Sequence, residues 1–228
     1  MSNSIFSMLY NREAKKAFIL LTFLFTLCYP SYAREDCLHK EKLIAQNKTL
    51  LTINEQADSL KKYGDLILHY KGKKKAKYER LFFKYFPNTF KRFNSIYGFI
   101  ELSSDSAIFM PLYSSNHIEK ILPNLYAINK ETYYKKLINV SLGGHWQGDQ
   151  VGVLQNVLIG KVKDDLNLTI EILKTLNDGQ IKSFWLFFFD MENPSAVDFS
   201  FLNKIKDKNI NRIIKQAREE DKIKWSKR

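Results

Sequence analysis

The chain has 228 residues, with 36 Lys and Arg against 24 Asp and Glu, a formal charge of +12, and two cysteines. That length is enough for one domain with a real hydrophobic core, and two cysteines exclude a small fold stapled by several disulfides. The positive balance favours acidic partners and anionic surfaces while saying nothing about fold.

Residues 1–33 read as a secretory signal peptide. Arg12, Lys15 and Lys16 precede an apolar run from Ala17 to Leu27, and Ser31, Tyr32 and Ala33 then supply a small-residue cleavage pattern. This is the basic, apolar and cleavable layout of an export signal. The run is well short of the roughly 20 residues that cross a bilayer core, so cleavage after Ala33 is expected and no transmembrane helix in the mature chain. Leu27 stands where lipid attachment to Cys28 would need a small residue, which argues against lipidation.

Residues 34–228 keep 33 positive against 23 negative residues and are expected to form a single, all-α domain. Its expected location is the periplasm or outside the cell. Cys37 is then the only thiol; it suits a frayed terminus, or a cross-link to a partner. After export, nucleic acid is a poor partner, and an acidic protein or an anionic envelope surface fits better.

In chain order, the apolar residues Leu43, Leu50, Leu51, Leu60, Tyr63, Ile67 and Tyr70 suit one or two amphipathic helices. KGKKKAK follows at 71–77. Between Tyr78 and Phe99 nine residues are aromatic, mostly three and four apart, which places them on one helical face as core packing. Pro87 breaks this block and can open a second helix, which Gly98 ends. Residues 102–116 carry the serines and proline of a loop, a possible sub-boundary within the domain.

Asn116 and Glu119 resemble a capping box for a short helix that Pro123 ends. Asn129 caps a helix through YYKKLINV. Helices follow over VGVLQNVLIGKVKDDL and LTIEILKTLND, with Asp178 and Gly179 marking a turn. SFWLFFFD at 183–190 reads as a fully buried central helix, because no partner strand is evident for the alternative of a buried strand. The last helix carries Ile205, Ile210, Ile213, Ile214 and Ala217, with ten basic and four acidic residues from Lys204 to Arg228. The expected architecture is about eight helices in two layers.

The chemistry is sparse. His39, His69, His117 and His145 are scattered, there is no paired-cysteine or HExxH pattern, and no phosphate-binding glycine loop occurs. Neither a metal nor a cofactor is expected. SLGGHWQGDQ at 141–150 is the one stretch that resembles an active site. On a continuous helix His145 and Asp149 would stand one turn apart, and the carboxylate could orient the imidazole as a base. The same letters also make a corner between helices: Gly143 or Gly144 as the stop, Trp146 as an anchor, and Asp149 in the first turn of the next helix. The corner is favoured, because no nucleophile is local.

The basic residues Lys73, Lys74, Lys75 and Lys77, with Arg212, Lys215 and Arg218, offer a surface for an acidic partner or anionic head groups. They also suit a solvated helix face. Asn47, Asn139 and Asn167 begin N-x-[ST] sequons, relevant only in a eukaryotic secretory pathway. The leading expectation is an exported, non-enzymatic helical protein that binds another macromolecule, such as a periplasmic inhibitor or immunity-type protein. The alternatives are an envelope-polymer hydrolase using His145 and Asp149, and a peripheral membrane-surface protein held by its basic segments.

Overall fold

The computed structural model describes residues 52–103, 105–191 and 194–226. Residues 1–33, expected to be an export signal, and Cys28, Cys37 and the Asn47 sequon lie outside the described residues.

The fold is mostly helical, as the apolar spacing predicts. Eight α-helices occur among the described residues: α1 (52–69), α2 (Gly72–Tyr85), α3 (Phe90–Tyr97), α4 (Lys130–Ser141), α5 (Asp149–Asp164), α6 (Leu166–Leu173), α7 (Asp178–Phe189) and α8 (Lys208–Trp225). Ile53–Arg228 forms one compact unit.

The core is built around α7. Asn177 and Gln180 close a reciprocal capping box at its start, which satisfies two of the amide groups a helix N-terminus leaves open. Asp178 and Gly179, which suggest a turn in the sequence, therefore lie inside this helix. Phe184, Trp185, Phe187 and Phe188 are completely buried, as expected of a helix apolar on every face. Each such ring contributes about 2–3 kcal/mol by leaving water. Ile210, Ile213, Ile214 and Ala217 line the buried face of α8, which packs against α7; Ile205, expected on the same helix, is buried but precedes it, because the Asp207 side chain caps α8 and starts it at Lys208.

The aromatic block packs as its spacing predicts. Phe82, Phe86, Phe93 and Tyr97 are buried on α2 and α3, with Phe93 and Tyr97 stacked at 5.1 Å between ring centres. The Thr89 hydroxyl, rather than Pro87, caps α3 by accepting the Arg92 N–H. Asn129 caps α4 as expected, its side chain accepting the Thr132 N–H.

Two elements depart from the sequence expectation. Where 102–116 suggests a loop, Phe99–Ser103 (β1) and Ser106–Phe109 (β2) pair as an antiparallel hairpin, with Phe99 opposite Phe109 and Ile100 opposite Ile108. Nearly every residue of both strands is half-buried or exposed, so the alternation that normally betrays a half-buried strand is missing. After it, His117–Ile121 is a π-helical turn followed by a 3₁₀ turn at Leu122–Asn124, and the Asn116 side chain caps neither. Among the described residues, no helix is long and apolar enough to cross a membrane.

Candidate functional site

The stretch SLGGHWQGDQ connects α4 to α5. Gly143 adopts φ +71°, a left-handed conformation that glycine enters without strain, and its N–H is taken by the Ser183 hydroxyl at 2.7 Å. Gly144 is needed for a different reason. A Cβ there would meet the Phe187 ring at 2.5 Å and the Phe90 ring at 2.8 Å, so the backbone of the corner lies directly on the core. Gly148, at φ +85°, redirects the chain, and Asp149 opens α5. The carboxylate in that first turn complements the partial positive charge of the helix start.

Trp146 is half-buried and faces Trp225 of α8 at 6.0 Å. Its backbone N–H donates to Asp190 Oδ2 at 2.8 Å, and the same buried carboxylate is ion-paired with Lys224. Gln155 of α5 donates to the carbonyls of Phe187 and Asp190 at 2.7 and 2.6 Å. A buried polar knot thus ties the corner to α5, α7 and α8; each of these donors has an acceptor, while Gln155 Oε1 and Asp190 Oδ1 are buried without a partner. Nothing in the sequence singles out Asp190 or Gln155, since their partners are 32 or more positions away.

His145 and Asp149 are held by different partners. The His145 ring is exposed, lies 5.4 Å from Phe90 and hydrogen-bonds Gln147 through Nε2 at 2.9 Å. The Asp149 carboxylate accepts the Tyr113 hydroxyl. Residues 145–148 are not helical, and α5 begins only at Asp149, so the one-turn spacing that would pair the two side chains does not arise.

The structure instead places Asp149 in a cleft of about 470 Å³ between the corner and the hairpin. Phe99, Glu101, Tyr113, Trp146, Gln147, Gly148 and Asp149 form its walls. Gln150 holds the Tyr113 segment in place by donating to the carbonyls of Tyr113 and Ser115 at 2.7 and 3.1 Å. Gln147 Oε1 is buried without a hydrogen-bond partner. Three aromatic rings and acceptor oxygens therefore meet in one opening, and no lysine or arginine is among its lining residues.

Beside the cleft, the hairpin carries exposed apolar side chains: Ile100 (54 %), Leu102 (62 %), Ile108 (50 %) and Phe109 (58 %). They account for four of the seven large hydrophobic side chains left exposed among the described residues. Among the described residues, both outer strand edges of this two-stranded sheet are unpaired.

The basic residues are distributed over helix surfaces. Lys73, Lys74 and Lys77 are exposed on α2, with Lys74 over the Tyr70 ring at 5.1 Å. Lys75 is half-buried, 3.8 Å from the buried carboxylate of Glu79. On α8, Arg212 is ion-paired with Asp178 at 2.7 Å, Lys215 is exposed, and Arg218 stacks 4.9 Å from Phe189. Among the described residues, no hydrogen bond, ion pair or ring contact joins the α2 cluster to the α8 cluster. The sequons at Asn139 and Asn167 fall within α4 and α6.

Two bases drawn toward the interior lie apart from this site. His117 is buried, 3.4 Å from the Tyr97 hydroxyl through Nδ1, and burial lowers its pKa, with Asp65 acting in the opposite sense. A Cβ at Gly64 would meet His117 Nε2 at 2.6 Å, so α1 passes directly over this ring. Lys136 of α4 is half-buried and donates from Nζ to the carbonyls of Phe83 and Phe86 at 2.5 and 3.0 Å, serving the end of α2. Burial brings its pKa down to about 8.

No group of three or more His, Cys, Asp or Glu among the described residues is arranged to hold a metal ion. No protein-family model, curated protein or solved structure matches the chain.

Proposed function

We propose that this chain is exported behind residues 1–33 and acts in the periplasm or outside the cell by binding another protein, as an inhibitor or immunity-type protein does. Its body is two layers of helices, and the hairpin is the contact element. The observation that carries this reading is the concentration of exposed apolar side chains on two strands whose outer edges are free. Contiguous apolar surface of this kind marks a contact site, and an open strand edge offers backbone hydrogen bonds to an incoming strand.

The basic residues of α2 and α8 act at longer range. Rim charges chiefly set encounter rate and salt dependence rather than the energy of the final complex. Lys73, Lys74, Lys75 and Lys77, with Arg212, Lys215 and Arg218, draw an acidic partner or an anionic envelope surface toward the molecule. The hairpin then fixes the complex.

The test is cross-linked affinity capture with the tagged full chain from its native host, comparing wild type with Leu102→Lys/Ile108→Lys and with Lys73→Glu/Lys74→Glu/Lys75→Glu. Loss of one defined partner by the hairpin variant, with its thermal melt unchanged, is the expected result. The lysine variant should bind the same partner more slowly and with a shallower salt dependence. A partner list that is identical for wild type and the hairpin variant sinks the reading.

A further inference from the structure

We infer that the cleft beside the hairpin receives a cationic side chain, arginine or lysine, from an extended segment of the partner that pairs with the hairpin edge. This rests on the protein-binding reading above and names the chemistry its site selects.

Charge complementarity carries the inference. The chain is strongly basic, yet from Phe93 to Glu119 it has Glu101, Asp105 and Glu119 and no lysine or arginine. From Leu137 to Gly160 it again has none, with Asp149 its single charge. The cleft is formed where these two segments meet, with Phe99, Glu101 and Tyr113 from the first and Trp146–Asp149 from the second. Lys224 reaches the Trp146 backbone only through Asp190, with which it is ion-paired.

The groups on the walls suit one kind of ligand. Glu101 and Asp149 supply carboxylates, and Phe99, Tyr113 and Trp146 supply π faces. A guanidinium or ammonium group satisfies both features, through charge-assisted hydrogen bonds to the carboxylates and attraction to the ring faces. An anionic side chain would meet two like charges, Glu101 and Asp149. The aromatic walls are already braced: Tyr113 lies 4.4 Å from Phe109 and 6.0 Å from Phe99, and its hydroxyl fixes Asp149.

Position completes the case. Glu101 lies on β1, one residue from Ile100 and Leu102, so a strand added at the hairpin edge places alternate side chains on the two faces. Its apolar residues meet the face of Ile100 and Ile108, which are paired across the hairpin, and its cation meets the face of Glu101. A second copy pairing β1 with β1 about the middle of the strand would bring the two Glu101 carboxylates together, and like charges directly opposite destabilise a strand pair. That favours a different protein as the occupant. The long-range field and the cleft then have opposite preferences, and a partner with an acidic surface plus one projecting cation meets both. Such a double requirement is a route to specificity.

The experiment uses the full chain and three blocked pentapeptides of alternating threonine and valine whose central residue is arginine, citrulline or glutamate. Binding is read from the indole N–H signals of Trp146, Trp185 and Trp225 in heteronuclear NMR spectra. The expected result is that the arginine peptide shifts Trp146 and not the buried Trp185, and binds at least tenfold more tightly than the other two. Glu101→Gln/Asp149→Asn should abolish that preference. Should this variant melt early, a salt titration of wild type serves instead, and only the arginine peptide should weaken as salt rises.

Equal affinity for the three peptides, or no shift of Trp146, overturns the inference. A dimer of the chain alone in sedimentation, dissolved by Ile108→Lys, overturns it too, because the occupant is then a second copy. If partner capture depends on Ile108 while the peptides are not discriminated, this inference fails and the proposed function stands. If capture is indifferent to the hairpin, the proposed function itself fails.

Discussion

Helix α7 and the β1–β2 hairpin are both written in apolar and aromatic letters, and they spend them in opposite ways. SFWLFFF disappears into the core, with Phe184, Trp185, Phe187 and Phe188 wholly buried, whereas the hairpin leaves Ile100, Leu102, Ile108 and Phe109 at least half exposed. The first arrangement stabilises the fold through loss of water contact. The second forgoes that stabilisation, and a selected sequence keeps such a patch where a partner covers it. Burial, more than composition, separates the residues that build this protein from those that equip it.

The comparison breaks most easily at α7. Phe187→Ala removes a ring at zero exposure that packs 5.6 Å from Phe90, and a cavity of that kind costs about 3–5 kcal/mol. A urea melt should show the midpoint fall sharply. A loss below about 1 kcal/mol would mean that α7 is not the centre of the core.

Lys136 tests the same packing through pH. Its pKa is about 8 in the fold and 10.5 ordinarily, so between those values the unfolded chain holds a proton that the folded chain lacks. Stability therefore rises with pH across this window, and the gain is lost as pH falls through 8. Each pH unit between the two values is worth at most about 1.4 kcal/mol. Solvent contact along this half-buried side chain screens the effect, so the full rise is about 1–2 kcal/mol. Tyr97, Tyr133 and Tyr134 act in the other direction above pH 10, because burial raises their pKa values and the unfolded chain ionises first. The difference between wild type and Lys136→Met isolates the lysine: denaturant melts from pH 7 to 10 should rise for wild type and stay flat for the variant.

Gly144→Ala probes the seam where the corner meets α7. The added methyl group meets two buried rings, Phe187 at 2.5 Å and Phe90 at 2.8 Å, and overpacking of this kind costs about 1–3 kcal/mol. A thermal melt should fall by several degrees. An unchanged melt would show that the corner can lift away from the core, and with it Trp146 and one wall of the cleft.

The sequence makes the burial of α7 legible through its continuous apolar run, and its helical form only through the lack of a partner strand, because a run of that length suits either element; the Asn177 cap that opens it is hidden beside Asp178 and Gly179, which read as a turn. Gly143 is equally legible as a helix stop, since local backbone geometry follows from local letters. The cleft is not legible in the same way. Tyr113 and Asp149 are 36 positions apart and Trp146 and Asp190 are 44 apart, and no periodicity encodes such meetings. The hairpin escapes detection for the converse reason: a strand exposed on both faces lacks the alternation that sequence reading depends on, and Ser and Asp around its turn look like any loop. The sequence thus singles out one wall of the candidate site, Trp146 to Asp149, and misses the hairpin wall that closes it.

The smallest expected effect on stability is also the most informative. Leu102 and Ile108 are 62 % and 50 % exposed, and substitutions on exposed surface away from packed contacts usually change stability by no more than about 0.5 kcal/mol. Leu102→Lys/Ile108→Lys should therefore melt with wild type while losing its partner. It should also be more soluble, because charged side chains on a free strand edge suppress edge-to-edge pairing. A clear loss of stability would mean that these side chains support the fold, and the contrast between α7 and the hairpin would collapse. Retained stability with lost binding would locate the function on the part of the molecule that the core does not need.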